Sequence, residues 1–328
     1  KFFDEEGVCH YENTIKPNHW VKLNRSYYTK WRAVVTRDNE VIYDNTMDLT
    51  NKRVYISFDS KSLGDSIAWI PYVLEFKKKH DCKVIVSTFW NHLFEKEYPE
   101  IEFVVPGTTV HNLYAMYTIG WFYNNDKEPV LPNIIPLQQT ITNILGLEFN
   151  EIKPNIHTTI HPRPYKNKYV TIATNSTSGC KFWTKEGWQE LIDYLHNLGY
   201  KVINVSKEDN PFKNANKIKN TSIHHTMNVI HHSEFFIGLS SGLSWLAWGL
   251  GKQVVMISNF TNEEHEFIFN CTRIVNRSVC NGCWNKPEFT FDKGDWNWCP
   301  VNKGTEKQFE CHTSITSEMV IQQIQHLL

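Results

Sequence analysis

Over residues 1–50, Tyr, Trp, Asn and Thr interleave with charges and no helical period emerges. The apolar run 31–35, the polar stretch Arg37-Asp38-Asn39-Glu40 and the run 41–43 predict strand, turn and strand. From residue 51 short apolar runs alternate with longer helical stretches. The pattern predicts strands at 54–58, 83–88 and 101–105, a helix over 63–80 and another over 136–147. His161-Pro162-Arg163-Pro164 then marks a joint. A second alternating set follows, with strands at 168–173, 201–205, 235–239 and 253–257 and helices at 184–198, 222–234 and 242–251. Two βα arrays split by a Pro-rich joint predict an α/β protein with two facing Rossmann-like domains and a ligand cleft at the strand C-termini. The expected units are a β-hairpin region (1–50), a first Rossmann-like domain (51–160), a second (165–275), a loop-rich finger (276–312) and a C-terminal helix (313–328).

A chain of 328 residues suits about two domains. With 41% hydrophobic residues and 12 Trp it can bury a large core. The 34 basic and 35 acidic side chains leave a net charge of −1, so no overall field favours nucleic acid. No membrane span is expected. The most apolar uncharged run, residues 235–251, is short for a bilayer and holds three Ser and four Gly. The first residues carry no basic segment followed by an apolar run, which points to a cytoplasmic protein; the opening Lys1 suggests a trimmed piece. The Asn-x-Ser/Thr matches at Asn24, Asn175, Asn204, Asn220, Asn259, Asn270 and Asn276 are then chance occurrences.

Three turns carry chemistry. After the strand ending at Phe58, Gly64 permits a tight turn and Asp65 falls at the start of a helix aimed into the cleft. Its carboxylate is either a helix cap or a general base, and residue chemistry alone favours the cap. G-x-G-x-x-G is absent, which argues against a dinucleotide site. The second turn, residues 174–184, gathers hydroxyls, Gly179, Lys181 and a helix start, a set that suits a phosphate cradle. A solvated loop with Thr184 as cap is the plain alternative. The third turn, Gly238-Leu239-Ser240-Ser241-Gly242, spells the G-x-S-x-G of a hydrolase elbow. Only His265, His312 and His326 follow it, so a serine hydrolase using Ser240 is the weaker reading beside a turn whose amides approach a ligand, or a purely structural one.

Cys280-Asn281-Gly282-Cys283, then Cys299 and Cys311, offer four thiolates to one tetrahedral metal. Disulfides are the alternative; thiolates suit Zn or Fe, and spacing does not separate the two. Trp284, Trp296 and Trp298 are placed to shield such a site. Cys9, Cys82, Cys180 and Cys271 read as isolated, and the pairs His224-His225 and His231-His232 as a solvated helix face.

Residues 62–71 (Ser-Leu-Gly-Asp-Ser-Ile-Ala-Trp-Ile-Pro), Lys181-Phe182-Trp183, residues 238–248 and the four-Cys finger together resemble the autotransporter O-heptosyltransferases, relatives of the glycosyltransferase family 9 enzymes. The likeness runs over most of the chain from about residue 30. It implies a GT-B fold and an inverting transfer of a sugar, heptose from ADP-heptose, to a Ser or Thr hydroxyl of a protein acceptor. It also implies Asp65 as general base, Lys181 on the donor pyrophosphate, and Ser240, Ser241, Gly242, Leu243 and Ser244 facing the nucleotide-sugar. Thr261, after a strand, joins the donor side. The metal implied is one structural iron on the four Cys, with zinc as the other candidate, and a homo-oligomer is compatible. The lipopolysaccharide enzymes carry an acidic residue where Ser240 stands. A non-catalytic nucleotide-sugar or protein-binding module is the remaining alternative.

Overall fold

The computed structural model describes residues 1–159, 161–218 and 222–328; Ile160, which closes the expected first domain, and the Asn220 match lie outside them. The chain opens with an antiparallel sheet of β1 (Phe2–Phe3), β2 (Cys9–Tyr11), β3 (Arg32–Arg37) and β4 (Glu40–Thr46), in the order β2-β1-β3-β4. Asp38 and Asn39, both at positive φ, turn β3 into β4, as a two-residue hairpin loop requires.

Two parallel sheets follow. The first contains β5 (Arg53–Phe58), β6 (Lys83–Ser87), β7 (Glu102–Phe103) and β8 (Ala115–Ile119), ordered β7-β6-β5-β8, with α1 (Leu63–His80) and α2 (Leu137–Leu145) packed against it. The second contains β9 (Tyr169–Ile172), β10 (Lys201–Asn204), β11 (Ala215–Lys217), β12 (Phe236–Gly238), β13 (Val254–Ile257) and β14 (Cys271–Ile274). Its helices are α3 (Lys185–Asn197), α4 (Ile223–His231) and α5 (Gly242–Gly249), with α6 (Glu310–Thr313) and α7 (Ser317–Ile324) after it. The order β11-β10-β9-β12-β13-β14 reverses direction between β9 and β12, and the first sheet reverses between β5 and β8. Crevices at such reversals, beyond the strand C-termini, are where open α/β sheets hold ligands.

α1 begins where Ser62 accepts a hydrogen bond from the Asp65 amide, and it ends at Asp81, whose φ of 46° is left-handed. Lys77, Lys78, Lys79 and His80 in the last turn offset the negative end of the helix dipole. α3 is capped in the same way by Thr184, whose hydroxyl accepts from the Gly187 amide at 3.0 Å.

The two sheets meet through α1 and α5. Gly64 and Gly242 touch backbone to backbone: a Cβ on Gly242 would lie 3.2 Å from the Gly64 amide nitrogen and 3.4 Å from the Leu63 Cβ. Because the obstacle is main chain, relief requires the helices to separate. Gly242→Ala is therefore expected to cost about 1–3 kcal/mol of stability through overpacking and to widen the cleft. Thermal denaturation of the variant against the wild type checks this.

Candidate active site

Where the two helix starts meet, a cavity of about 390 Å³ opens between the sheets. Asp65 and Lys181 both line it, with Ser240, Ser241, Gly242 and Thr261. Six of the eight expected catalytic and donor-side positions thus share one cavity, and two do not. Ser244 is fully buried with its hydroxyl on the Leu239 carbonyl, and the Leu243 side chain packs on the core. Successive helical residues turn about 100°, so Ser241, Gly242 and Trp245 face the cleft while positions 243 and 244 face away. The first-turn amides of Gly242 and Leu243 still have no intrahelical acceptor. Among the described residues no side chain caps α5, and the Ser241 hydroxyl is buried without a partner.

Asp65 sits three residues after the cap instead of being the cap. Its Oδ2 accepts from Ser60 Oγ at 2.6 Å and from Trp121 Nε1 at 2.9 Å. Burial raises its pKa; the hydrogen bonds from Ser60 and Trp121 and the Lys181 charge oppose that rise. Lys181, half-buried, donates to the Ser240 carbonyl at 3.2 Å and lies 5.1 Å from the centre of the Phe260 ring. Burial lowers its pKa, while Glu266, Cys180 and Asp65 hold the ammonium form.

Sequence reasoning missed Glu266 and Arg273. The Glu266 carboxylate, deep in the cavity wall, accepts from the Ser240 hydroxyl, from Thr261 Oγ1 at 3.0 and 3.1 Å, and from Arg273 Nη1 at 2.6 Å. Burial acts to raise its pKa, but the Arg273 guanidinium, His265 and Ser240 outweigh it and hold the group ionised. The Ser240 hydroxyl therefore faces a carboxylate committed to an arginine instead of a histidine base. That arrangement does not generate a hydrolase nucleophile.

The finger forms the outer wall. Phe291, Lys293, Asp295 and Trp296 line the cavity, and the Trp296 indole occupies the space a side chain at Gly179 would need. Trp284 meets Trp121 edge to face at 5.5 Å, and Asn285 Nδ2 donates to the Asn133 carbonyl at 2.6 Å. Among the described residues no three His, Cys, Asp or Glu side chains form a ready metal site. The donor set nonetheless fits a cation. Burial first, and then the neighbouring thiols, push Cys283 up to about 11 and Cys311 up to about 12, with Cys280 and Cys299 acting on both. With their pKa values raised, the Cys283 and Cys311 thiols stay protonated until a positive ion joins them.

The loop that carries Trp121 also buries Glu128, which is 1% exposed with neither oxygen in a full hydrogen bond. Burial drives its pKa up to about 8, against a lesser lowering from the Phe122 amide. A carboxyl raised on folding stabilises fully below its unfolded pKa, and that contribution is lost as pH climbs through the folded value. The melting temperature is expected to fall from about pH 4.5 to about pH 8 through this group. Glu128→Gln should flatten that limb, each pKa unit being worth about 1.4 kcal/mol; melting curves across pH check it.

Comparison with known proteins agrees with this architecture. The family model for glycosyltransferase family 9 (heptosyltransferase) matches residues 147–293. The chain is 36% identical over 319 residues to the autotransporter heptosyltransferase Aah of Escherichia coli, covering 92% of this chain and 81% of that one. At 29% identity over 316 residues it is also similar to BimC of Burkholderia thailandensis, described as an inactive autotransporter heptosyltransferase, covering 92% of this chain and 74% of BimC. The crystal structure of TibC from enterotoxigenic E. coli, an iron-containing dodecameric glycosyltransferase, superimposes with a TM-score of 0.92 at 30% identity, over 99% of this chain and 90% of TibC. TibC has also been crystallised with ADP-D-beta-D-heptose. No helix among the described residues is long and apolar enough to cross a membrane. On sequence and fold together, this chain is a glycosyltransferase and belongs to the autotransporter heptosyltransferases of glycosyltransferase family 9.

Proposed function

We propose that the chain transfers heptose from ADP-heptose to a Ser or Thr hydroxyl of a protein acceptor, with inversion at the anomeric carbon. The observation that carries this reading is the placement of Asp65 and Lys181 on one cavity, beside the start of α5. The acceptor oxygen attacks the anomeric carbon as its proton passes to Asp65. The bond to the diphosphate breaks, and its electron pair leaves with ADP. Charge develops on the departing phosphate, where the Lys181 ammonium, the α5 amides and the unpartnered Ser241 hydroxyl are available to receive it.

Glu266 is a second carboxylate on the cavity, but its acceptor capacity is taken by Ser240, Thr261 and Arg273. It suits a fixed wall of the sugar pocket, not a nucleophile, and this favours single displacement over a covalent sugar intermediate. The four Cys would hold one structural iron, or zinc, and that metal would supply cross-linking, since four protein thiolates leave no open position. Free thiols suit a cytoplasmic setting, and assembly into a homo-oligomer accords with the dodecameric relative.

Mass spectrometry of Ser/Thr-bearing polypeptides incubated with a panel of nucleotide-sugars tests the reading. A heptose mass added only with ADP-heptose supports it. Sugar release into water with no polypeptide modified would overturn the acceptor assignment, and no turnover of any donor would favour the non-catalytic module. Lys181→Met is expected to weaken ADP-heptose binding and turnover together by about 10- to 100-fold, the worth of a charge-assisted hydrogen bond. Titration calorimetry showing unchanged donor affinity would count against the cradle.

A further inference from the structure

The open flank of the first parallel sheet leads to Asp65. β8 is the edge strand, and β5 is its one strand neighbour among the described residues. Such an edge presents a row of unpaired main-chain amides and carbonyls. No residue of β8 itself is charged; Met116 is 62% exposed and Tyr114, just before the strand, 45%. Opposite it, the segment with Arg25, Tyr27 and Trp31 forms a second wall, and the two enclose a trench of about 470 Å³. The Arg25 guanidinium lies 5.2 Å from the Tyr27 ring centre and 5.3 Å from that of Trp31, and the Lys127 ammonium lies 4.9 Å from that of Phe122. Aromatics and arginine beside accessible backbone are the composition of a protein-binding surface.

The inner end of the trench is formed by Asp59, Thr118 and Phe122. The residue after Asp59 is Ser60 and the residue before Phe122 is Trp121, and these are the two donors to Asp65. One residue on each of two loops thus separates the trench from the carboxylate.

We propose that an extended polypeptide segment docks in this trench as an added strand against β8 and delivers its hydroxyl to Asp65. This rests on the reading that the acceptor is a polypeptide. An extended chain advances about 3.3 Å per residue, so a segment paired along Ala115–Ile119 brings a residue two or three positions further on beside Trp121. Main-chain pairing supplies affinity with little demand on side chains, and the base then selects the hydroxyl. The Arg25 guanidinium on the second wall and the Lys127 ammonium, beside Phe122 at the inner end, favour acidic side chains on the segment.

The test uses the whole enzyme, ADP-heptose and a Ser-bearing peptide taken from the acceptor panel, remade with a single N-methyl amide at each position near the serine. ADP release without peptide is followed in parallel. The expected result is a loss of tenfold or more at alternate positions, the period of strand pairing. Met116→Arg and Trp31→Ala should each raise peptide KM tenfold or more with peptide-free ADP release unchanged. Methylation that is harmless, or equally harmful at every position, overturns the docking mode, as does an unchanged KM in both variants. If light scattering shows that Met116→Arg alters the oligomeric state while KM holds, the edge pairs with a second copy and the proposal fails. Transfer to no peptide, with ADP release intact, overturns the polypeptide-acceptor reading itself and this docking with it.

Discussion

Exchanging Asp65 for Asn is expected to lower sugar transfer by about two to four orders of magnitude, the usual worth of a general base, while ADP-heptose still binds. Both hydrogen-bond donors, Ser60 and Trp121, converge on Oδ2. Neither of these two bonds engages Oδ1, the oxygen proposed to receive the acceptor proton. An Asn oxygen can accept the same two bonds, so the helix start and the Trp121 contact survive the exchange. The melting temperature should hold or rise, because a buried charge has been removed. The pH dependence carries the sign of a base. Wild-type transfer should fall on the acid side as Asp65 gains a proton, with a midpoint above the ordinary aspartate value of about 3.9, because burial raises this group. The residual rate of the Asn variant should show no such limb. Near-normal turnover by the variant, measured as ADP release with acceptor present, would remove Asp65 from the mechanism.

The parts of the molecule that read plainly from sequence are those buried on both faces. β9, β12 and β13 are short apolar runs with few polar interruptions, as strands covered by helices on each side must be. β8 was not legible, because an edge strand has one open side and Ala115-Met116-Tyr117-Thr118-Ile119 shows neither a continuous apolar run nor clean alternation. β14 was hidden in the same way by Arg273, which looks like a surface residue until the strand turns it toward Glu266. That ion pair, with side chains only 6% and 3% exposed, has no spacing signature: its partners sit on separate elements and meet only in the fold. Residue chemistry alone favoured Asp65 as the cap, whereas the cap is Ser62; the S-x-x-D pattern is the signal that would have shown it. The finger read as a metal site and nothing more. That Lys293 and Trp296 reach back over the cavity could not be seen from Cys spacing, since the path of a loop is set by what it packs against.

That dependence makes the finger the most sensitive part of the molecule away from the base. Replacing Cys283 with Ser is expected to release the metal, lower the melting temperature and reduce both donor binding and transfer by more than tenfold. Between Cys280 and Phe309 the chain forms a single short 3₁₀ turn, Cys283–Asn285. What holds it is a small core in which Phe260 and Trp298 are buried and Trp284 and Phe291 pack alongside, together with the proposed four-thiolate cross-link. A core of that size cannot order some thirty residues against their conformational entropy, whereas a structural thiolate site contributes on the order of 10 kcal/mol. The loss would spread inward along named contacts. Trp284 would cease to support Trp121, and Trp121 donates to Asp65. Lys293 and Trp296 would leave the cavity wall, and the seat at Gly179 beside Lys181 would empty. Cys9→Ser, at an exposed cysteine of the N-terminal sheet, should change none of these readouts. The checks are metal content by mass spectrometry, thermal melting and donor titration on the same preparations. A Cys283→Ser protein that has lost its metal yet melts and binds ADP-heptose as the wild type does would show that the aromatic core alone carries the wall.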